Sequence, residues 1–316
     1  MTGPGGSVRG LPGAVAVRLS FAALAVLAGC TADRRAEPAT DAVVDDLGRR
    51  HDVAEPRTRI VSLIPAATET LVAIGAADRL VARTRYDEAP EVAELPSVGG
   101  GIDPSLEFLA ALAPGLVVLW ASGAGGARLE DRLDELGVDG YGAALETVDD
   151  FRRHARNLGR LVGLAERADS LIARVEGELE AAAASWAGRD PARVFYVVQP
   201  DPPMTAGPGT FLDSVLAAAG AVNAFADVRG NWPLVSMEEV VRRDPDYVIV
   251  PVPGFGTPAS PPGRRDPAAA RLAARAGWSS VPAVSAGRVI SVDAALFGRP
   301  GPRMGTAALY LASRLR

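Results

Sequence analysis

Lysine is missing altogether: all 33 positive charges of the 316-residue chain are arginine. Without a Walker A lysine to hold nucleotide phosphates, the chain is not itself a P-loop ATPase. A single cysteine, Cys30, leaves no disulfide framework and no thiolate metal cage. Histidine is reduced to His51, in a polar stretch, and His154, on a charged helical face. That scarcity argues against an imidazole cage for a transition metal. No G-x-S-x-G turn accompanies His154, and carboxylate pairs such as "RDPD" read as solvated faces, so no catalytic constellation emerges. A net charge of −5 offers no basic surface for nucleic acid. A non-enzyme with no metal and no cofactor of its own is the expectation.

What is present begins with a leader. Arg9 and Arg18 precede the apolar run "LSFAALAVLA", too short to span a bilayer, and "LAGC" closes it at Cys30. Residues 1–30 therefore read as a secretory signal. The "LAGC" ending resembles the lipobox of bacterial lipoproteins. That resemblance implies cleavage before Cys30, lipid on its sulfur, and a place outside the cytoplasm, periplasmic or on the cell surface, anchored to membrane. The alternative is an exported chain with an unmodified small-residue cleavage site. Residues 31–56 hold few large apolar side chains and are expected to be a disordered tether.

From Arg57 onward strands and helices alternate. "RIVSLIPAATETLVAIGAADRLVA" gives a β-branched strand, a helix from about Thr68 that stops at Gly75, and a second strand. After Ala192 the pattern restarts with "ARVFYVVQP" and "GTFLDSVLAAAG". The spacing predicts an α/β fold of two lobes, 57–147 and 189–316, each a mostly parallel sheet flanked by helices. Between them, residues 148–188 carry apolar positions every three or four residues (Leu161, Ala165, Ala168, Ile172, Val175, Leu179, Ala182). A short helix, a break at Gly159–Gly163, and one long helix over about 164–187 are predicted to join the lobes.

Two stretches look like copies: "GIDPSLEFLAALAPGLVVLW" at 101–120 and "NWPLVSMEEVVRRDPDYVIV" at 231–250. Each runs from a capping residue to a first-turn glutamate (Glu107, Glu238), then to a proline (Pro114, Pro245) and an apolar strand.

These stretches, with "LPSVGG", "PPMTAGPGTFLDSVLAAAGAVNAFAD" and the closing "RPGPRM", resemble the helical-backbone periplasmic binding proteins over residues 57–316. These are the substrate-binding components of ATP-binding-cassette importers for cobalamin, haem and ferric siderophores. "PPMTAG" followed by "NWPLVS" is most similar to the cobalamin branch. The resemblance implies a small-molecule cargo held between the lobes, a permease with its ATPase subunits as partners, and action as a monomer. It implies that Glu107 and Glu238 dock onto permease arginines. A purely structural role remains open for both, as charges complementing helix dipoles, with Glu239 closing a capping box on Ser236.

Cargo is expected in the cleft at the strand ends. Trp120 and Trp232 offer flat rings for a corrin or porphyrin, and Met204 an adaptable apolar contact. Tyr86 lies in a loop that lines the cleft in the family, and its phenol is able to hydrogen-bond a ligand or, in a haem protein, to ligate iron. Asp293 and Arg299, in "VDAALFGRPGPRM", align with the loop where relatives carry polar ligand contacts. Cobalamin is the expected cargo, haem or a ferric siderophore the alternative, and a cell-envelope scaffold or sensor the reading from another class.

Overall fold

The computed structural model describes Met1 and residues 41–121, 123–253 and 267–315. The proposed leader and Cys30 lie outside the described residues.

The first surprise is the stretch expected to be tether. Its last part forms a hairpin, β1 (Ala42–Val44) and β2 (Arg50–Asp52), paired antiparallel. The Asp46 N–H donates to the Gly142 carbonyl at 3.0 Å, and Asp45 Oδ2 accepts the Gly142 N–H at 2.8 Å. The disordered tether predicted through residue 56 is thus corrected: from 41 onward the chain is folded. The local sequence is polar because Asp45 and His51, both buried, are satisfied by groups some ninety residues away.

The first lobe then builds β3 (Ile60–Ser62), α1 (Pro65–Ala73), β4 (Leu80–Ala82), α2 (Leu106–Leu112), β5 (Leu116–Trp120), α3 (Gly123–Glu135) and β6 (Gly140–Ala143). Helix α1 starts at Pro65, three residues before the expected Thr68, because proline at the first helical position is pre-set for it. Helices α4 (Val148–Leu161) and α5 (Ala165–Ala184) follow, the latter about 30 Å long at 1.5 Å per residue. The second lobe runs β7 (Ala192–Tyr196), β8 (Gln199–Pro200), β9 (Pro203–Met204), α6 (Phe211–Ala218), β10 (Ala221–Asn223), α7 (Met237–Arg243) and β11 (Tyr247–Val252). It closes with α8 (Pro267–Ala273), α9 (Pro282–Ser285), β12 (Val289–Asp293), α10 (Ala294–Phe297) and α11 (Met304–Ala312).

Each lobe centres on a four-stranded, wholly parallel sheet, ordered β4-β3-β5-β6 and β10-β7-β11-β12. The two orders are the same: second, first, third, fourth strand of the sheet in chain order. Side chains alternate between faces, as the two-residue strand period requires. Val118, Val194, Tyr196 and Ile249 enter one core shared with α5, whereas Val117 and Leu119 face an outer core of the first lobe and Phe195 and Val248 one of the second. The joining helix is therefore no free strut: α5 packs against α4, α6 and α11. Gly305 permits the close approach of α11, since a Cβ there would meet the Val175 carbonyl oxygen at 2.9 Å.

Candidate functional site

Strand order reverses between β3 and β5 in one lobe and between β7 and β11 in the other, and such a switch point is where open parallel sheets leave a crevice for ligands. The C-terminal ends of β5, β7 and β11 bring Trp120, Tyr196 and Pro251 to the edge of a cavity of about 380 Å³. It is lined by both lobes: Trp120, Leu145 and Glu146 from the first; Phe211, Trp232, Phe297 and their neighbours from the second. Its size falls toward the low end of about 300–1,000 Å³ for small-molecule sites.

Trp232 is fixed at its polar end and its flank. Its Nε1–H donates to Glu146 Oε2 at 3.1 Å, and the Phe211 ring sits 6.3 Å away, tilted by 59°. Glu146 is itself held from behind, where its N–H donates to Asp150 Oδ2 at 3.1 Å and its carbonyl accepts the Phe211 N–H at 2.7 Å. Trp120 lies against the glycine loop: a Cβ at Gly101 would collide with the Leu63 carbonyl oxygen and approach Trp120 Nε1 at 3.5 Å. Gly101 is thus required by the Leu63 carbonyl, and the chain there runs in contact range of the indole. Tyr196 is buried, and that burial raises its pKa, so its phenol is neutral.

Of the six cargo contacts expected from the sequence, Trp120 and Trp232 meet at this cavity; the other four lie elsewhere. Tyr86 is 55% exposed, with the Arg85 guanidinium 5.8 Å from its ring centroid. Met204 sits half-buried on β9, bridged to Leu234. Asp293 caps α10, accepting the Leu296 N–H at 2.8 Å, and lines a second inter-lobe space of about 480 Å³ with Glu69, Glu88, Arg174 and Arg303. Arg299 does not line this cavity: its Nη1 donates to Glu69 Oε1 at 2.6 Å and its Nη2 to the Tyr86 carbonyl at 2.8 Å. Sequence reasoning missed Glu146, Tyr196 and Phe211. Tyr196 and Phe211 carried a usable signal, a strand end and a helix start like those that marked the tryptophans. Glu146 carried none, because its partner Trp232 is 86 residues away.

The repeated units match beyond their sequence. Ser105 and Ser236 cap their helices, accepting the N–H groups of Phe108 and Glu239 at 3.3 and 3.1 Å. Both helices end in a left-handed residue before the proline, Ala113 and Asp244, each at φ 44°; among the described residues these are the two non-glycine positions with positive φ. An arginine from the neighbouring strand region clasps each turn: Arg59 Nη2 bonds the Leu112 carbonyl at 2.5 Å and Arg193 Nη2 the Arg243 carbonyl at 3.3 Å. Glu107 and Glu238 are exposed in the first turns, and among the described residues neither makes an ion pair. Glu239 does not complete a capping box: its carboxylate turns to Arg242 and Arg243, the latter at 2.5 Å.

His51 and His154 are both buried, not exposed as their sequence neighbourhoods suggested. Burial opposes charge on His51, but the hydrogen bonds its ring donates to Asp139 (2.9 Å) and Asp45 (3.2 Å), with their charges, outweigh it and push its pKa up to about 9. For His154, between Tyr141 (2.6 Å) and Asp46 (2.7 Å), burial prevails over the Asp46 charge and lowers the pKa.

Two α/β lobes on a helical backbone, with an aromatic-walled cavity between them, define a substrate-binding protein of the two-lobed kind. The chain belongs to the periplasmic binding protein family, whose model matches residues 60–296. It is 30% identical, over 81% of its length and 88% of the relative's, to the vitamin B12-binding protein of Pectobacterium atrosepticum. It is 29% identical to an uncharacterized ABC transporter substrate-binding lipoprotein, YvrC, of Bacillus subtilis, covering 89% of this chain and 90% of that one. A solved periplasmic heme-binding protein from Roseiflexus sp. RS-1 superimposes with a TM-score of 0.67 at 26% identity, over 82% of this chain and 97% of the other.

Proposed function

We propose that this protein is the lipid-anchored substrate-binding component of an ABC-type importer. It captures cobalamin between its lobes, acts as a monomer, and delivers cargo to a membrane permease and its ATPase subunits. The observation that carries the reading is the meeting of Trp120 and Trp232, from different lobes, at one cavity on the switch points of both sheets. Two indoles and the rings of Tyr196, Phe211 and Phe297 suit a broad, flat, partly apolar cargo, which they hold by area burial and stacking. The similarity to a vitamin B12-binding protein supports a corrinoid, and the similarity to a substrate-binding lipoprotein supports an anchor at Cys30. Glu107 and Glu238, exposed on matched units of the two lobes, supply a two-point acidic handle for permease arginines, which favours register and on-rate.

A porphyrin is the second reading, favoured by the likeness to a heme-binding protein over nearly that protein's whole length. Retention decides between them. The full-length protein is mixed separately with cyanocobalamin, haemin and a ferric siderophore, desalted, and the visible spectrum of the protein peak recorded. A corrin spectrum near one equivalent is expected. Retained haem or siderophore moves the cargo to iron acquisition, and retention of none favours a scaffold or sensor.

A further inference from the structure

We propose that Glu146 sets the charge class of the cargo: the site takes a broad apolar body edged with N–H donors and rejects one edged with carboxylates. The inference rests on the reading of the inter-lobe cavity as the cargo site. Among the described residues lining that cavity, Glu146 is the one acidic or basic side chain; the rest are aromatic, aliphatic, proline and glycine, with Tyr196 held neutral by burial. No arginine is among those lining residues, although the chain is rich in them. Arg299 stands between two lining residues, Gly298 and Pro300, yet its guanidinium is committed to Glu69 and the Tyr86 carbonyl.

The carboxylate is carried on a pinned backbone and held by the Trp232 indole. Its own backbone is bonded on both sides, through its N–H to Asp150 and its carbonyl to Phe211. Oε2 accepts from Trp232 Nε1 at 3.1 Å and from Asn231 Nδ2 at 3.5 Å, while Oε1 makes no hydrogen bond among the described residues. Glu146 therefore acts in two ways. It positions the Trp232 ring, which Phe211 supports at its flank, and it presents an acceptor oxygen at the cavity wall. Carboxamide or ammonium N–H groups satisfy that acceptor. A cargo carboxylate brought against it meets like charge in a half-enclosed space, and juxtaposed like charges at interfaces are strongly disfavoured.

Two matched ligand pairs test this on the full-length protein by equilibrium titration. The first is cyanocobalamin against cyanocobalamin hydrolysed so that peripheral carboxamides become carboxylates. The second is haemin dimethyl ester against haemin. In the wild type the uncharged-edge member of whichever pair binds should be tighter by about tenfold or more. Glu146→Gln keeps an oxygen for Trp232 but removes the charge, and should bring that ratio close to one. Glu146→Ala should weaken both members by freeing the indole. An unchanged ratio in Glu146→Gln overturns the proposal even where cobalamin binds. If the haem pair binds and the cobalamin pair does not, the cobalamin reading falls while the ratio still tests Glu146. Binding of neither pair overturns both.

Discussion

Arg299 of the second lobe reaches across to Glu69 on α1 of the first, with Nη1 2.6 Å from Oε1. Arg303 joins the same carboxylate at 2.9 and 3.1 Å, so one glutamate takes two arginines from the opposite lobe. The Glu69 side chain is 10% exposed and that of Arg299 16%, so both are largely removed from screening water. The lobes are thereby fastened to each other in the state seen here, where the cavity proposed to hold cargo is only about 380 Å³. If the proposed macrocyclic cargo enters between the lobes, this clasp has to loosen on entry and on release.

Glu69→Gln should shift the balance toward open lobes by about 1–3 kcal/mol, the scale of a charge-assisted bond lost from a mostly buried pair. Stopped-flow measurement of cargo entry and exit should find both faster, by several-fold or more. Rates equal to the wild type would mean that the clasp does not limit opening.

Removing either indole should weaken cargo far more than it weakens the fold. Trp232 and Trp120 are half-buried at the cavity edge, in contrast to the buried Trp278 of the outer core. Trp232→Ala and Trp120→Ala are each expected to cost about 2 kcal/mol of binding, near 30-fold in Kd, the scale of a central aromatic contact. Calorimetric titration with cargo, alongside thermal melts, separates the two effects. A loss confined to Tm would place the rings in the scaffold alone.

The matched glutamates should matter to the permease and not to cargo. Glu107→Ala with Glu238→Ala leaves both Ser-capped helices and both arginine-clasped turns in place. Cargo Kd should stay unchanged, while affinity for the purified permease–ATPase complex drops by about tenfold or more and loses much of its salt dependence. If the charges serve only the helix dipoles, permease affinity holds and stability falls by about 0.3–1 kcal/mol per site.

The two histidines should give the fold opposite pH slopes. The His51 pKa is raised when folded, so its contribution is complete below about pH 6.5 and is lost as pH rises through about 9. Its partners Asp45 and Asp139 carry lowered pKa values despite burial, so their contribution is lost only at acid pH. His154 is lowered, so its contribution is present above about pH 6.5 and is lost as pH falls. Urea melts should find that His51→Gln destabilises at pH 6 by on the order of 1–3 kcal/mol and by much less at pH 9.5. An equal cost at both values would mean that His51 is not charged in the folded hairpin.

Much of this was written locally. The doubled helix–proline–strand unit, the α/β alternation and the apolar stripe of α5 all follow from short-range periodicity, and they foretold two lobes on a helical backbone. Trp120 and Trp232 were legible because each borders such a unit. The hairpin at 42–52 was not, since its polar inward residues make sense only beside Asp139 and Gly142. The ion pair of Arg299 was hidden for the same reason: the loop it occupies was readable, but its partner Glu69 is 230 residues away. Long-range polar pairing decides where a charged side chain points, and no local pattern encodes it.

The most direct test of the cobalamin assignment is an isothermal titration of the full-length protein with cyanocobalamin. A single saturable site at one equivalent is expected, with Kd at or below about 1 μM, that is about −8 kcal/mol or stronger. No saturable binding at a hundredfold higher concentration would contradict it.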